Sequence, residues 1–367
     1  MGPCVSEGSC ERRACVRRLA RAFAVAVALL GSAPSIRAEE SLIYPPPPDL
    51  DYPERVHRGH NFLTPTLFAS PFVATRFALA HRLLIVEVPE YPILVGRNTD
   101  VTLLGQGERL DISVRFLDRF AAFLKASGEL LIGGQAKSIV AGGGSFTYVV
   151  GGGGQVRLLR DEDRELSIRA EGSYGPGGLI DVLALVDAAL ARGAESGDAA
   201  VERRDVRDYV LRDTKRVEGA LRFLYAHTLT RNFGLQAAAG AVYSWSGLEL
   251  IDSESNLVDF HRNFVIPEAD LALGANLDPW VPLGFLAEYS FSLGRHSIPG
   301  SENTDQGVSH LVALGAHIVQ PRFQFGLTFA RAFGLEPVER SDLLGNRRRS
   351  GKPAANSMQI GLEYTWW

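Results

Sequence analysis

Cysteine is almost missing from this chain. The three that occur, Cys4, Cys10 and Cys15, all precede residue 16, so the rest of the 367 residues carries none. That avoids stray disulfides in an oxidising compartment. It also leaves no cysteine just past the apolar stretch near the N-terminus, which excludes a lipid-anchored N-terminal cysteine. Long apolar runs are missing too: the longest, Ala22–Leu30 ("AFAVAVALL"), is far short of the roughly 20 residues a membrane helix needs. Mean hydropathy is +0.02, but strands that alternate apolar and polar residues average out in hydropathy, so a membrane is not excluded. An excess of positive charge is absent as well, with a formal net charge of −4, which argues against nucleic acid as a partner. The glycine runs at 141–145 ("AGGGS") and 151–154 ("GGGG") lack the Lys-Ser or Lys-Thr and the strand-then-helix context of a phosphate cradle, and read as relief of crowding or strand curvature. His57 and His60 have no further ligands beside them, so no metal site and no cofactor are assigned.

What is present begins with a processing signal. Arg17, Arg18 and Arg21 precede the apolar run, and "SIRAEE" offers cleavage after Ala38, giving a signal peptide over 1–38. The residues before Val16 are long for a basic n-region, so Val16 is an alternative start. Residues 1–38 hold six Arg and two Glu, so cleavage takes the net charge from −4 to −8. Residues 39–74 follow as a Pro-rich N-terminal segment. "YPPPP" favours an extended polyproline spacer, which we assign to the periplasm.

From about residue 75 to 367 one pattern dominates. "LDISVRF" puts Leu110, Ile112, Val114 and Phe116 on one face and Asp111, Ser113 and Arg115 on the other. "VPLGFLAEYSFSL" does the same with Val281, Leu283, Phe285, Ala287, Tyr289 and Phe291 against Gly284, Glu288 and Ser290. Period two over such lengths marks strands with one apolar and one polar face. Twelve such segments are expected: 76–88, 107–117, 119–132, 146–160, 165–174, 215–229, 232–247, 263–277, 281–294, 307–319, 322–333 and 356–367. The first fits neither parity cleanly, and a bulge is expected to reset it.

Tight connectors rich in Asp, Asn, Arg and Pro ("FLDRF", "RDEDRE", "LTRNF", "NLDPWV", "VQPRF") alternate with longer loops near 89–106, 133–145, 175–214, 248–262, 295–306 and 334–355. This two-rim asymmetry indicates an all-β fold: a closed antiparallel up-and-down transmembrane β-barrel of about twelve strands, with short periplasmic turns and long extracellular loops. A secreted β-sandwich is the competing fold, but it would have shorter strands and no such asymmetry. Aromatics gather at the strand ends. Phe120, Phe233, Trp280 and Trp366 on one side, and Tyr243, Trp245 and Phe291 on the other, are assigned to two membrane girdles.

The C-terminal stretch "SMQIGLEYTWW" carries Met358, Ile360, Leu362, Tyr364 and Trp366 on one face. It resembles the last strand of bacterial outer-membrane β-barrel proteins, and the architecture of 75–367 is similar to theirs as a whole, porin-like with no narrower subfamily. The resemblance implies location in the outer membrane of a Gram-negative bacterium. It implies contact with outer-membrane lipid and recognition of the final strand by the barrel-assembly machinery. Trp367 stands one step out of phase with the pattern.

The polar faces of such strands line the lumen. Asp111, Arg115, Lys125, Glu129, Arg157, Arg169, Glu171, Glu218 and Arg222 would form a mixed wall rich in Arg and Lys, and Glu268, Asp270 and Glu288 an acidic one. Such charges either set a field across a water-filled pore or pair with one another and close it. In the 175–214 loop, apolar residues at helical spacing indicate a helix from Leu179 to Arg192, placed to restrict the mouth or cap the rim. The expected function is a channel or transporter for small polar or amphiphilic solutes. A structural or interaction barrel is the alternative. An outer-membrane hydrolase would need Ser244 or Ser246 beside His227 or His310, and no catalytic motif is recognised there.

Overall fold

The computed structural model describes residues 55–94, 97–135, 138–139, 143–180, 211–251, 257–277, 281–297, 306–320, 322–335, 339–341 and 347–366. Twelve strands form one closed barrel. They are β1 (Thr75–Leu94), β2 (Arg97–Leu117), β3 (Phe120–Gly133), β4 (Gly144–Arg160), β5 (Arg164–Ile180) and β6 (Leu211–Thr230). The others are β7 (Phe233–Ile251), β8 (Leu257–Asn276), β9 (Leu283–Ser297), β10 (Gln306–Val319), β11 (Phe323–Phe333) and β12 (Ala354–Trp366). Each pairs antiparallel with its chain neighbour. β12 then closes on β1 in continuous register from Trp366 opposite Thr75 to Ala354 opposite Glu87. The closed ring leaves no edge, which is what a sheet in hydrocarbon requires. A short ribbon of 339–341 with 347–349 stands in the last long connection.

Several strands run longer than the alternation suggests. β1 and β2 pair as far as Leu94 opposite Arg97, so the long loop expected at 89–106 is instead a tall hairpin. The register break expected within 76–88 does not occur, for pairing with β2 is unbroken from Arg76 to Val88. The irregularities fall between Val88 and Tyr91 and between Pro92 and Leu94. Pro89 and Pro92 have no N–H to give the ladder, so the bulges collect beside them. Likewise β5 extends to Ile180 and β6 begins at Leu211, and β7 and β8 reach to Ile251 and back from Leu257. Leu179 and Ile180 are therefore strand residues, and the remainder of the expected helix, to Arg192, lies outside the described residues.

Along each strand burial alternates. The outer face is apolar, with Leu124, Val150, Leu221, Phe285, Leu314, Phe329 and Ile360 exposed. The inner face carries Asp111, Gln155, Ser167, Arg169, Gln236, Asp270, Glu288, Gln324 and Glu363, all buried. Phe120, Phe233 and Trp366 by the short turns, and Tyr243 toward the other rim, are exposed on the outer face. Trp245 and Phe291 share the outward parity of their strands, and Trp280 lies outside the described residues.

Leu314, on the outer face of β10 and 62% exposed, fixes this parity experimentally. Replacing it with Arg should destabilise the folded barrel in lipid vesicles by about 2–4 kcal/mol in reversible denaturant unfolding. Leu314→Gln should cost much less.

Candidate functional site

The barrel interior is not empty. Residues 55–74 enter it and leave it again before β1. Their contacts reach wall residues on β4, β5, β6, β7, β8, β9, β11 and β12, and a short segment can touch that many strands of a closed ring only from inside. The expected placement of 39–74 in the periplasm thus does not hold for residues 55–74. The physical reason is their apolar content. Phe62, Leu63, Phe68, Phe72 and Val73 are all buried, and each such side chain is worth about 1.5–3 kcal/mol when removed from water. Leu63 and Phe68 pack on the inward Leu224, Ala238, Ala272 and Leu286 of β6 to β9. Phe62 and Phe72 meet with ring centroids 5.1 Å apart beside Ala226.

A two-residue hairpin opens the segment, pairing Val56 with Asn61 and His57 with His60. Its central residues Arg58 and Gly59 both have positive φ, 47° and 76°, the twist that tight hairpin turns need. The wall yields room for it at Gly234 of β7, where a Cβ would overlap the His60 ring and lie 2.6 Å from Phe62.

The segment is irregular, so its backbone polar groups need partners other than a ladder. Wall side chains supply them. The carboxylate of Glu288 accepts from the backbone N–H of Thr66 (2.9 Å) and of Leu67 (2.9 Å), and from the Thr66 hydroxyl. Gln324 accepts from Thr64 N–H (3.0 Å) and Glu363 from the Thr64 hydroxyl (2.8 Å). Gln236 donates to Leu63 O (2.7 Å), Asn276 to Asn61 O (2.6 Å), and Gln155 and Ser167 to Pro71 O (2.9 and 2.7 Å). At the return, Glu165 accepts from Val73 N–H (3.2 Å) while Arg157, itself 3.0 Å from Glu165, donates to Val73 O. Arg55 is held by Gln320 O (2.8 Å) and Glu363 (3.5 Å). These partners lie toward the short-turn ends of their strands, so the segment plugs that half of the lumen.

Beyond the plug the inward charges interlock. Asp111 lies 3.6 Å from Arg76, 3.7 Å from Arg109 and 3.9 Å from Arg169. Arg169, whose guanidinium sits 3.3 Å above the Phe123 ring, also meets Glu171 at 3.2 Å. Glu171 in turn binds Lys125 (3.0 Å) and Arg222, and Arg222 reaches Glu268 at 2.9 Å. Arg82 pairs with Glu129, and Arg216 with Glu218. Asp270 is buried on the inner face of β8, and Arg115 has the inward parity of β2.

Three cavities run along this interior. The first, about 220 Å³, is lined by Arg216, Glu218, Val242 and Ile266. The second, about 340 Å³, shares Lys125, Glu171, Arg222 and Glu268 with it and reaches Asp270, Ser290 and the plug residues Leu67 and Phe68. The third is a slit of about 80 Å³ between the plug and β10 to β2. It shares Phe68, Ala69 and Arg109 with the second and runs past Ala78, Gly361 and Thr328 to Gln324 and Glu363. Phe68 and Arg109 therefore stand at the junction of chamber and slit.

The serines and histidines considered for hydrolysis are not brought together. Ser244 and Ser246 have the inward parity of β7, and Arg216 donates to Ser244 at 3.3 Å. His227 has the outward parity of β6 and stacks beside Tyr225, while His310 faces outward among Tyr289, Phe291 and Phe333. Among the described residues, no group of three or more His, Cys, Asp or Glu side chains could hold a metal ion. Of the plug anchors, Glu288 is expected on the inner face, whereas Gln155, Glu165, Gln236, Asn276 and Gln324 are not singled out. They share the polar-face parity, but nothing marks a partner for them.

Solved structures similar to this chain are barrels of bacterial outer membranes. An outer membrane channel from Pseudomonas putida F1 is 12% identical with a TM-score of 0.50, over 83% of this chain and 100% of that one. The beta domain of the Bordetella autotransporter BrkA is 12% identical with a TM-score of 0.46, over 80% of this chain and 100% of that one. The P. putida toluene transporter TodX is 11% identical with a TM-score of 0.38, over 80% and 89%. At such identity the likeness is one of fold, that of outer-membrane β-barrels. No protein-family model matches the chain, and no curated protein does.

Two predictions follow from the plug's anchors. Glu288→Ala strands two buried N–H groups at a cost of about 1–3 kcal/mol. Hydrogen exchange over 62–74 should quicken about tenfold or more while the strands stay protected. The second concerns His60, which is fully buried, with His57, the Asn276 amide and Arg231 O around it. Burial lowers its pKa to about 4, against a smaller opposing effect of the Arg231 carbonyl. The folded base is thus harder to protonate than the released one. Seating is unpenalised above about pH 6.5 and weakens as pH falls toward 4, by up to about 3 kcal/mol. His60→Asn should remove that part of the acid sensitivity, read by the same exchange experiment.

Proposed function

We propose that this protein is an outer-membrane channel for small polar or amphiphilic solutes, held shut at its short-turn end by residues 55–74. In this reading residues 1–38 are the export signal and the last strand is what the assembly machinery recognises. The observation that carries it is the run of three adjoining cavities, which share lining residues from Arg216 down to Glu363. Their walls combine paired charges of both signs with Leu67, Phe68, Val242 and Ile266, a lining that suits solutes with polar and apolar parts. Because most inward charges already have partners, a solute would compete for hydrogen bonds at the edges of the network rather than meet a strong net field.

The same density of anchors on 55–74 favours a second reading, a permanently filled barrel with a structural or interaction role. Conductance of the purified protein in planar bilayers separates the two. The intact protein should show small or rare steps. Deleting residues 55–70 should raise the step size several-fold in a barrel that still migrates as heat-modifiable, and Phe68→Ala should give an intermediate value. A folded deletion variant that remains silent would leave the structural reading. Deleting residues 181–210 tests separately whether that connection restricts the mouth: conductance should rise again if it does.

A further inference from the structure

On the outer face of β1 and β2, three polar side chains stand among apolar ones: the pair His81 and Glu108 and, beside it, Gln106. His81 of β1 and Glu108 of β2 are register partners with outward parity, His81 Nδ1 lying 2.5 Å from a Glu108 carboxylate oxygen. Their side chains are 42% and 64% exposed. They are not at a rim. Along β1 the outward neighbours are Leu79 on one side and Leu83 and Ile85 on the other. Along β2, Leu110 and Ile112 lie on the turn side with apolar side chains, and on the other side come the exposed Gln106, register partner of Leu83, and then Leu104. Across the ladder His81 faces Ile360 of β12, and Glu108 faces Gly128 of β3. By contrast, His227, His310 and Arg331 on the outer face lie near the ends of their strands.

Each member of the pair uses one polar atom on the other. His81 Nε2 and the second carboxylate oxygen of Glu108 have no partner among the described residues. Burying such groups in hydrocarbon without hydrogen bonds is costly. A two-fold axis along the membrane normal would remove that cost. Two residues side by side on one face exchange places across such an axis, so His81 of one copy meets Glu108 of the other, and both remaining polar atoms find partners at once. The pair sets a ring nitrogen and a carboxylate side by side and so is self-complementary in hydrogen bonding, which is why a second copy of this chain, rather than an unrelated protein, is the natural occupant.

We propose that the β1–β2 outer face is a homodimer interface centred on His81 and Glu108. The test uses the exported protein in native membranes and in lipid vesicles. Leu83→Cys, beside the pair and diagonal to its symmetry mate, should be cross-linked into a dimer by a short bis-maleimide, whereas Leu314→Cys on β10 should not. The double variant His81→Leu/Glu108→Leu makes the face more apolar, so the barrel should still fold and migrate as heat-modifiable. Its dimerisation should weaken roughly tenfold or more, the scale of two symmetry-related polar contacts in hydrocarbon. The exchange His81→Glu/Glu108→His preserves self-complementarity and should keep the dimer. A wild-type protein that is monomeric in vesicles, equal cross-linking at Leu314, or undiminished dimerisation of the double Leu variant would each overturn the proposal.

Discussion

In the wall and the plugged lumen of this barrel, backbone N–H and C=O groups have to find partners where little water reaches, and the architecture follows from that requirement. In the wall the answer is a ladder closed from β12 back to β1. In the lumen the irregular segment 55–74 has no ladder to join, so side chains of the wall act as substitutes for a neighbouring strand. Glu288 takes two consecutive amides; Gln236, Asn276 and Gln155 give to carbonyls. The polar face of the barrel therefore does two different jobs. Toward the short turns it solvates a peptide. Farther along it solvates itself, through the chain of ion pairs from Arg76 to Glu268. Removing one partner from either set would leave a buried group exposed to low dielectric, which costs more than the pair contributes net.

The wall was legible in the sequence because period two is a strong signal when both faces are consistent. Leu110, Ile112 and Val114 against Asp111, Ser113 and Arg115 admit one reading. Strand length was less legible. The expected loops at 89–106 and 248–262 contain Asp and Asn, and the first also Pro, residues common in turns, yet pairing continues through much of both stretches. Rims that rise above the hydrocarbon no longer need an apolar face, so the pattern fades before the strand ends.

The plug was illegible for the opposite reason. "NFLTPTLFASPFVA" has no period, since an irregular chain inside a ring meets walls on all sides and has no single buried face. Composition held the missing clue: Phe62, Leu63, Leu67, Phe68, Phe72 and Val73 are too apolar for a solvated spacer. A complementary clue lay in the amides Gln155, Gln236, Asn276 and Gln324 on inward positions. Such side chains both give and accept, which suits a peptide backbone better than an ion. The acidic bias of the later strands likewise has a local meaning, for Glu288 and Glu363 hold the plug and Glu268 answers Arg222.

Both ends of the 55–74 segment lie at the same rim. Arg55 touches Gln320 in the β10–β11 turn, and Val73 is bound beside the β4–β5 turn just before the chain enters β1. The segment is thus a bight of rope rather than a thread. It can be laid into the finished ring from one side, with no chain end passing through. It also answers mechanical load in one direction only. Tension applied at Arg55 from that rim would break the Gln320 and Glu363 contacts first, then those of His57, Asn61 and Leu63, each loaded after the last has failed. Pressure from the opposite mouth would bear on all of them together. A stopper of this shape resists being pushed and yields to being peeled.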